Sequence, residues 1–216
     1  MEQYRIKKGG APLPTALCAL LQDVETATIG HIEHLGFLSP SLRPVCSAKV
    51  IGQALTVAAP GRDGTVIYKA IDLLQPGDVL VIARIDGDDI ACVGGGVATA
   101  ARARGAAAII VDGPCTDVEE IMASGLPVWC RGVSSKTTNR TFRIGGSINV
   151  PVACGGTAVL PGFAVLADNS GIFVADRIMM QGLGETALTR QERSVRLRAH
   201  LAAGHSIFDF KESQPQ

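Results

Sequence analysis

The sequence predicts an α/β fold in three layers, β/β/α. Three observations predict it. The middle of the chain alternates aliphatic strand-like runs with helix-like segments, the pattern of a mostly parallel sheet. After Ser147 the pattern changes to short strands between glycine turns. Hydrophobic residues make up 47% of the chain and aromatics only 4%. The core must therefore be built from Ala, Val, Ile and Leu, as in strands buried on both faces.

Leu13 to Gly36 reads as two helices, with Thr26 or Thr28 as N-cap between them. Ala48 to Ala58 carries Val50, Ile51, Leu55 and Val57 and reads as a strand. Thr65 to Leu74 has apolar residues at helical spacing. Gln75-Pro76-Gly77-Asp78 is a turn, because proline presets φ and glycine allows φ > 0. Val79 to Ile85 is a buried strand, and Val97 to Arg104 an Ala-rich helix ended by Gly105. Ala107 to Val111 is a strand. Thr116 or Asp117 caps a short helix through Met122, which Gly125 ends before a strand from Leu126 to Cys130. Asn149 to Asp176 reads as a run of hairpins turning at Gly155-Gly156, Pro161-Gly162 and Asn169-Ser170-Gly171. Gly184 to Ala203 is helical, with its charge on one face.

Composition narrows the function classes. The length of 216 residues and the lack of a linker or repeat predict a single domain over residues 1–216, with a polar tail from about Lys211. Twenty basic and twenty acidic residues cancel. No basic stripe is present, so nucleic acid is not an expected partner. Apolar runs stop well short of the roughly 20 residues of a membrane span. Met1-Glu2-Gln3-Tyr4-Arg5 lacks an apolar signal core, so a cytoplasmic protein is expected. The six cysteines form no C-x-x-C pair and read as free thiols in strand-like segments.

Two segments carry chemistry. In Ala91-Cys92-Val93-Gly94-Gly95-Gly96-Val97 a strand meets a helix through three glycines. Glycine lets backbone N–H groups approach a ligand, and a helix N-terminus attracts anions. Alone, the triplet reads first as a tight turn without a ligand. In Val111 to Ile121, another strand opens into a helix bearing Asp117 and Glu120, three residues apart on one helix face. Such carboxylates suit Mg²⁺ or Mn²⁺. They also suit simple capping and a favourable helix dipole. The pair of turns is more informative than either, because turns at the carboxyl ends of neighbouring parallel strands form the ligand crevice of such sheets.

Gly95, twenty residues, then Thr116-Asp117, two residues and Glu120 resembles the signature of the class II pyruvate aldolases. These are the 4-hydroxy-4-methyl-2-oxoglutarate aldolases, which share a fold with the regulators of ribonuclease activity A (RraA). Thr26-Ala27-Thr28-Ile29, Gly52 to Val57, Pro76 to Val81, Arg131-Gly132-Val133, Asn149 to Val152 and Pro161-Gly162 extend the resemblance over most of the chain. It implies a swivelling β/β/α domain assembled as a homotrimer or homohexamer. The implied activity is a divalent-metal-dependent lyase, an aldolase or oxaloacetate decarboxylase, acting on a small 2-keto acid. In the implied site Asp117 ligates Mg²⁺ or Mn²⁺ and Glu120 lies near the metal's water shell. Amides of Gly94, Gly95, Gly96 and Val97 bind the substrate beside Thr116, and Glu192 matches an acidic residue lent by a neighbouring subunit. The alternative is a non-catalytic RraA-like regulatory protein that docks onto a larger partner.

Three positions depart from the family pattern. Thr116 stands where the family has an arginine that would grip a carboxylate with a bidentate fork. His31 stands where the family often has aspartate. Gly95 or Gly96 replaces an acidic or bulky residue. Altered specificity is expected, with Arg62, Arg84 and Arg140 as other sources of the missing charge. His31 and His34, three apart on an expected helix face, read as an exposed or hydrogen-bonded pair before a zinc site, which two ligands do not make. Cys115, beside the acidic turn, is read as a packed thiol before a nucleophile.

Overall fold

The computed structural model describes residues 3–87 and 89–210, so the expected tail from Lys211 lies outside the described residues. The elements, in order, are β1 (Tyr4–Ile6), α1 (Thr15–Leu21), α2 (Thr26–Ile29), β2 (Arg43–Pro44), β3 (Val50–Ala59), α3 (Thr65–Ile71), β4 (Asp78–Arg84) and α4 (Gly95–Ala103). They continue with β5 (Ala108–Asp112), α5 (Val118–Ser124), β6 (Val128–Cys130), β7 (Gly146–Ile148), β8 (Val152–Cys154), β9 (Thr157–Val159), β10 (Ala164–Ala167), β11 (Ile172–Ala175) and α6 (Arg177–Ala202).

The sheet is organised by its longest strand. β3, β4, β5 and β6 pair in that order and all in parallel, as the strand–helix alternation predicts. The free side of β3 is divided. Its first half takes β10 antiparallel and its last residues take β7, which pairs β1 in turn. β4 alternates across the sheet: Leu80 and Ile82 pack with α3 and α4, while Val79, Val81 and Ala83 pack with Val152, Cys154 and Val159 of the β8–β9 hairpin. The order is therefore helices, main sheet, hairpin, which is the expected β/β/α layering. A third cluster seats α1, α2 and α6 on Leu166 and Phe173 of the β10–β11 hairpin.

Several boundaries differ from expectation, each for a tertiary reason. Thr26 is inside α2 and not its cap. Its hydroxyl and N–H both donate to the Asp168 carboxylate, at 2.6 and 2.8 Å. α2 stops at Ile29, so His31 and His34 lie exposed in the turn after it and share no helix face. α6 starts at Arg177, well before Gly184, because the Asp176 carboxylate caps the N–H groups of Ile178 and Met179. Gly184 is tolerated within that helix because it faces α1, where a Cβ would stand 3.1–3.2 Å from Leu20 and Leu21. The late hairpins also divide. β10–β11 joins the main sheet through β3, and only β8–β9 forms the separate layer.

A strap of chain crosses the carboxyl end of the sheet. Val133 bridges Cys115 beyond β5, Thr137 bridges Ala91 beyond β4, and Asn139 bridges Asp63 beyond β3. Asp63 then fastens the C-terminal end of the strap. Its buried carboxylate accepts from the N–H and hydroxyl of Thr65, the hydroxyl of Thr141, and the N–H groups of Arg143 and Ile144. Burial alone would raise this carboxyl, but the hydrogen bonds outweigh it and hold Asp63 well below the ordinary carboxylate range.

A depressed folded-state pKa stabilises the protein above the unfolded value of about 3.9 and loses that contribution as pH falls below it. Asp63→Ala should therefore cost roughly 3 kcal/mol at neutral pH. The variant should also show a shallower loss of stability below about pH 4 than the parent. Urea unfolding across pH 2–7 measures both, and parallel acid limbs would remove Asp63 from that role.

Candidate functional site

Two β–α turns meet at the carboxyl end of the central strands. The parallel register of β4 and β5 sets Ala83 opposite Asp112, and a further bridge joins Val93 to Cys115. The Thr116 N–H donates to the Val93 carbonyl at 2.9 Å. Gly94 and Asp117 are thus neighbours, and the space between them is very small. A Cβ on Gly94 would lie 2.4 Å from Asp117 Oδ2, and one on Gly95 2.0 Å from Glu120 Oε2 and 2.5 Å from Glu120 Cβ. Gly94 has φ −142°, so glycine is needed here for room and not for a left-handed backbone.

Asp117 occupies the N-cap position of α5 but does not cap it with its side chain. Its backbone is left-handed, φ 51° and ψ 48°, a conformation that costs a non-glycine residue of order 1 kcal/mol. The turn sends the carboxylate to the neighbouring helix, where Oδ2 accepts from the Gly95 N–H at 3.3 Å. The Thr116 hydroxyl donates to Oδ1 at 3.2 Å. α4 begins at Gly95, not at the expected Val97. The N–H groups of Gly96 and Val97 therefore sit in its first turn, where an α-helix offers no intrahelical acceptor. Such a terminus favours anions.

A cavity of about 200 Å³ opens beside this turn, lined by Gly94, Gly96, Val97, Thr116 and Asp117 from the two turns. Tyr68 of α3 and strap residues Thr137 to Arg140 complete it. Glu120 meets the glycine turn behind Gly95 but does not line the cavity. Glu192 lies exposed on α6, a helix that packs on α1, α2 and β11, so one chain does not bring it to the turn. Tyr68 and the strap residues Thr137 to Asn139 are not visible as site residues in the sequence, and Arg140 is weighed there only as one of three unplaced arginines. The Ser134 to Thr141 stretch has no periodicity, and only its bridges to three strand ends bring it here.

Of the arginines weighed as replacements for the charge absent at Thr116, Arg140 lines this cavity. Arg62 lines a different one with Asp89 and Lys136. Arg84 is buried and donates to the carbonyls of Ala59 and Gly61. Cys115 is fully buried, with its Sγ 3.3 Å from that of Cys130. Their hydrogen bond, together with burial, pushes the Cys115 thiol up, which keeps it neutral and unsuited to nucleophilic attack.

The family model described as RraA-like, Aldolase/RraA, matches residues 22–174. The chain belongs to the RraA-like family. It is 30% identical over 161 residues to a Halalkalibacterium halodurans protein named "Putative 4-hydroxy-4-methyl-2-oxoglutarate aldolase", covering 74% of this chain and 76% of that protein. Among solved structures it resembles Streptomyces coelicolor RraAS2, described as an unusual member of the RNase ES inhibitor RraA protein family. That match has a TM-score of 0.77 and 26% identity, covering 88% of this chain and 98% of the other. Thermus thermophilis RraA, described as an RNA-processing inhibitor, shares the fold with a TM-score of 0.63 at 22% identity over 71% of this chain and 93% of its own. Among the described residues no helix is long and apolar enough to cross a membrane.

The contact at Gly95 makes a direct prediction. Gly95→Ala places a methyl group against Glu120 Cβ, which cannot swing aside as the carboxylate can. The variant should lose about 1–3 kcal/mol, the usual cost of overpacking, while Gly96→Ala, with only the Tyr68 hydroxyl 3.9 Å away, should lose much less. Equal unfolding midpoints for the two variants would show that α4 and α5 separate freely.

Proposed function

We propose that this RraA-like protein is a divalent-metal-dependent lyase acting on a small 2-keto acid, by retro-aldol cleavage or by decarboxylation of the oxaloacetate type. The observation that supports it most is the direction of Asp117. Its carboxylate leaves its own helix cap and stands at the N-terminus of α4, on the rim of the cavity.

The donors at the turn are carboxylate oxygens, Asp117 directly and Glu120 behind Gly95, which fits a hard cation such as Mg²⁺ or Mn²⁺ that keeps most of its waters. Such an ion, held by Asp117, would supply Lewis-acid stabilisation of negative charge on the 2-keto oxygen. The chain's own groups do the rest. The Gly96 and Val97 N–H groups and the α4 dipole favour negative charge at that end of the cavity. Thr116 holds Asp117 Oδ1 through its hydroxyl, so the residue in the place of the family arginine orients the carboxylate instead of gripping substrate. Glu192 would act only from a neighbouring copy, which accords with a homotrimer or homohexamer whose sites lie between subunits. The uncharged Thr116 also supports a second reading, a regulatory protein without catalysis.

The deciding assay is pyruvate formation from a panel of 2-keto acids with Mg²⁺ or Mn²⁺, run beside calorimetric titration of Mn²⁺. Turnover with metal, and loss of both turnover and Mn²⁺ binding in Asp117→Ala, are expected. Mn²⁺ affinity unchanged in Asp117→Ala would remove Asp117 as the ligand, and no turnover on any substrate would favour the regulatory reading. Light scattering at micromolar concentration should give a trimer or hexamer; a monomer would exclude a site shared with Glu192.

A further inference from the structure

Arg140 brings a positive charge to the cavity. Its guanidinium lies over the Tyr68 ring, 5.4 Å from Cζ to the ring centre. The Tyr68 hydroxyl reaches toward Gly96, where it would be 3.9 Å from an added Cβ. The ring and the cation therefore line the same cavity as the N-terminus of α4. Arg140 forms no ion pair among the described residues. Its backbone is held on both sides. Before it, Ala91 bonds Lys136 and Thr138, while Asn139 bonds Arg62 and Gly64. After it, Asp63 holds Thr141, Arg143 and Ile144.

A guanidinium held over an aromatic face by a cation–π contact can still offer N–H groups to a planar, bidentate acceptor. The other formal charge lining the cavity is the carboxylate of Asp117, which would be taken up by the metal, so a second carboxylate on the ligand needs a cation of its own. Thr116 has none to offer. We propose that Arg140 is the carboxylate-binding, specificity-determining residue of this site, and that the ligand it selects is a 2-keto acid with a second carboxylate. The N–H groups of α4 take one anionic end and the Arg140 fork takes the other. The proposal rests on the 2-keto acid reading of the site, and it moves the recognition of charge from the turn before Asp117 to the strap.

The test uses two ligands, 2-oxoglutarate with two carboxylates and 2-oxobutyrate with one, titrated into the Mn²⁺-loaded protein. Arg140→Met should weaken 2-oxoglutarate by about 10- to 150-fold, the loss of a charge-assisted bond, and leave 2-oxobutyrate within about twofold. Arg140→Lys should recover part of the loss, because an ammonium keeps the charge without the fork. Thr116→Arg added to Arg140→Met should restore preference for the dicarboxylate. Mn²⁺ affinity and melting temperature should match the parent in the single Arg140 variants, since this side chain is exposed and forms no ion pair with Asp117 or Glu120. Undiminished 2-oxoglutarate binding in Arg140→Met, or equal loss of both ligands, overturns the assignment and leaves the lyase reading standing if the parent turns over substrate. A parent that binds neither 2-keto acid overturns both.

Discussion

The approach of one β–α turn to the next through Gly94 and Gly95 is the constraint on which the site depends. The added-Cβ distances of 2.4 and 2.0 Å mean that no other residue fits without moving Asp117 or Glu120. The same closeness explains the left-handed backbone at Asp117. With this backbone the Asp117 side chain leaves its own helix uncapped and accepts from the Gly95 N–H instead. A strain of order 1 kcal/mol at one residue is offset by the pairing of Val93 with Cys115 and Thr116, which brings the two turns together.

The layers give that contact a rigid base. β4 and β5 are buried on both faces, helices on one side and the β8–β9 hairpin on the other, so their carboxyl ends cannot shift independently. The strap then crosses those ends and is fastened by backbone bridges and by Asp63. Each part of the cavity wall therefore comes from a different strand end. This is how a parallel sheet concentrates groups distant in sequence at one edge.

Family membership rests on the fold, whereas the proposed activity turns on Thr116 and its neighbours. The fold is preserved over nearly the whole length of a solved relative, because it rests on aliphatic alternation and a few glycines that many sequences can satisfy. In the proposed chemistry, recognition of a carboxylate asks for a planar cation, and threonine supplies neither its charge nor its geometry. In this chain the Thr116 hydroxyl turns to Asp117, and the cation in the cavity comes from the strap.

Local physics was legible in the sequence. The strands from Val50 to Cys130 follow from aliphatic runs, and the Gly155-Gly156 turn from the need for two left-handed residues, with φ values of 59° and 77°. The convergence of Asp117 and Glu120 on a glycine turn follows from spacing and from the rule for parallel sheets. Tertiary structure decided the remainder. Glycine has low helix propensity, yet α4 starts at Gly95, because packing against Glu120 outweighs propensity. Thr26 reads as a cap, but Asp168, far along the chain, claims both its donors. Arg140 is one of three arginines the sequence offers for the missing charge, with nothing local to single it out, and Tyr68 carries no local signal at all. Their meeting depends on Asp63 and Ala91 holding a strap from a distant stretch of the chain, and contacts between such distant residues leave no period in the sequence.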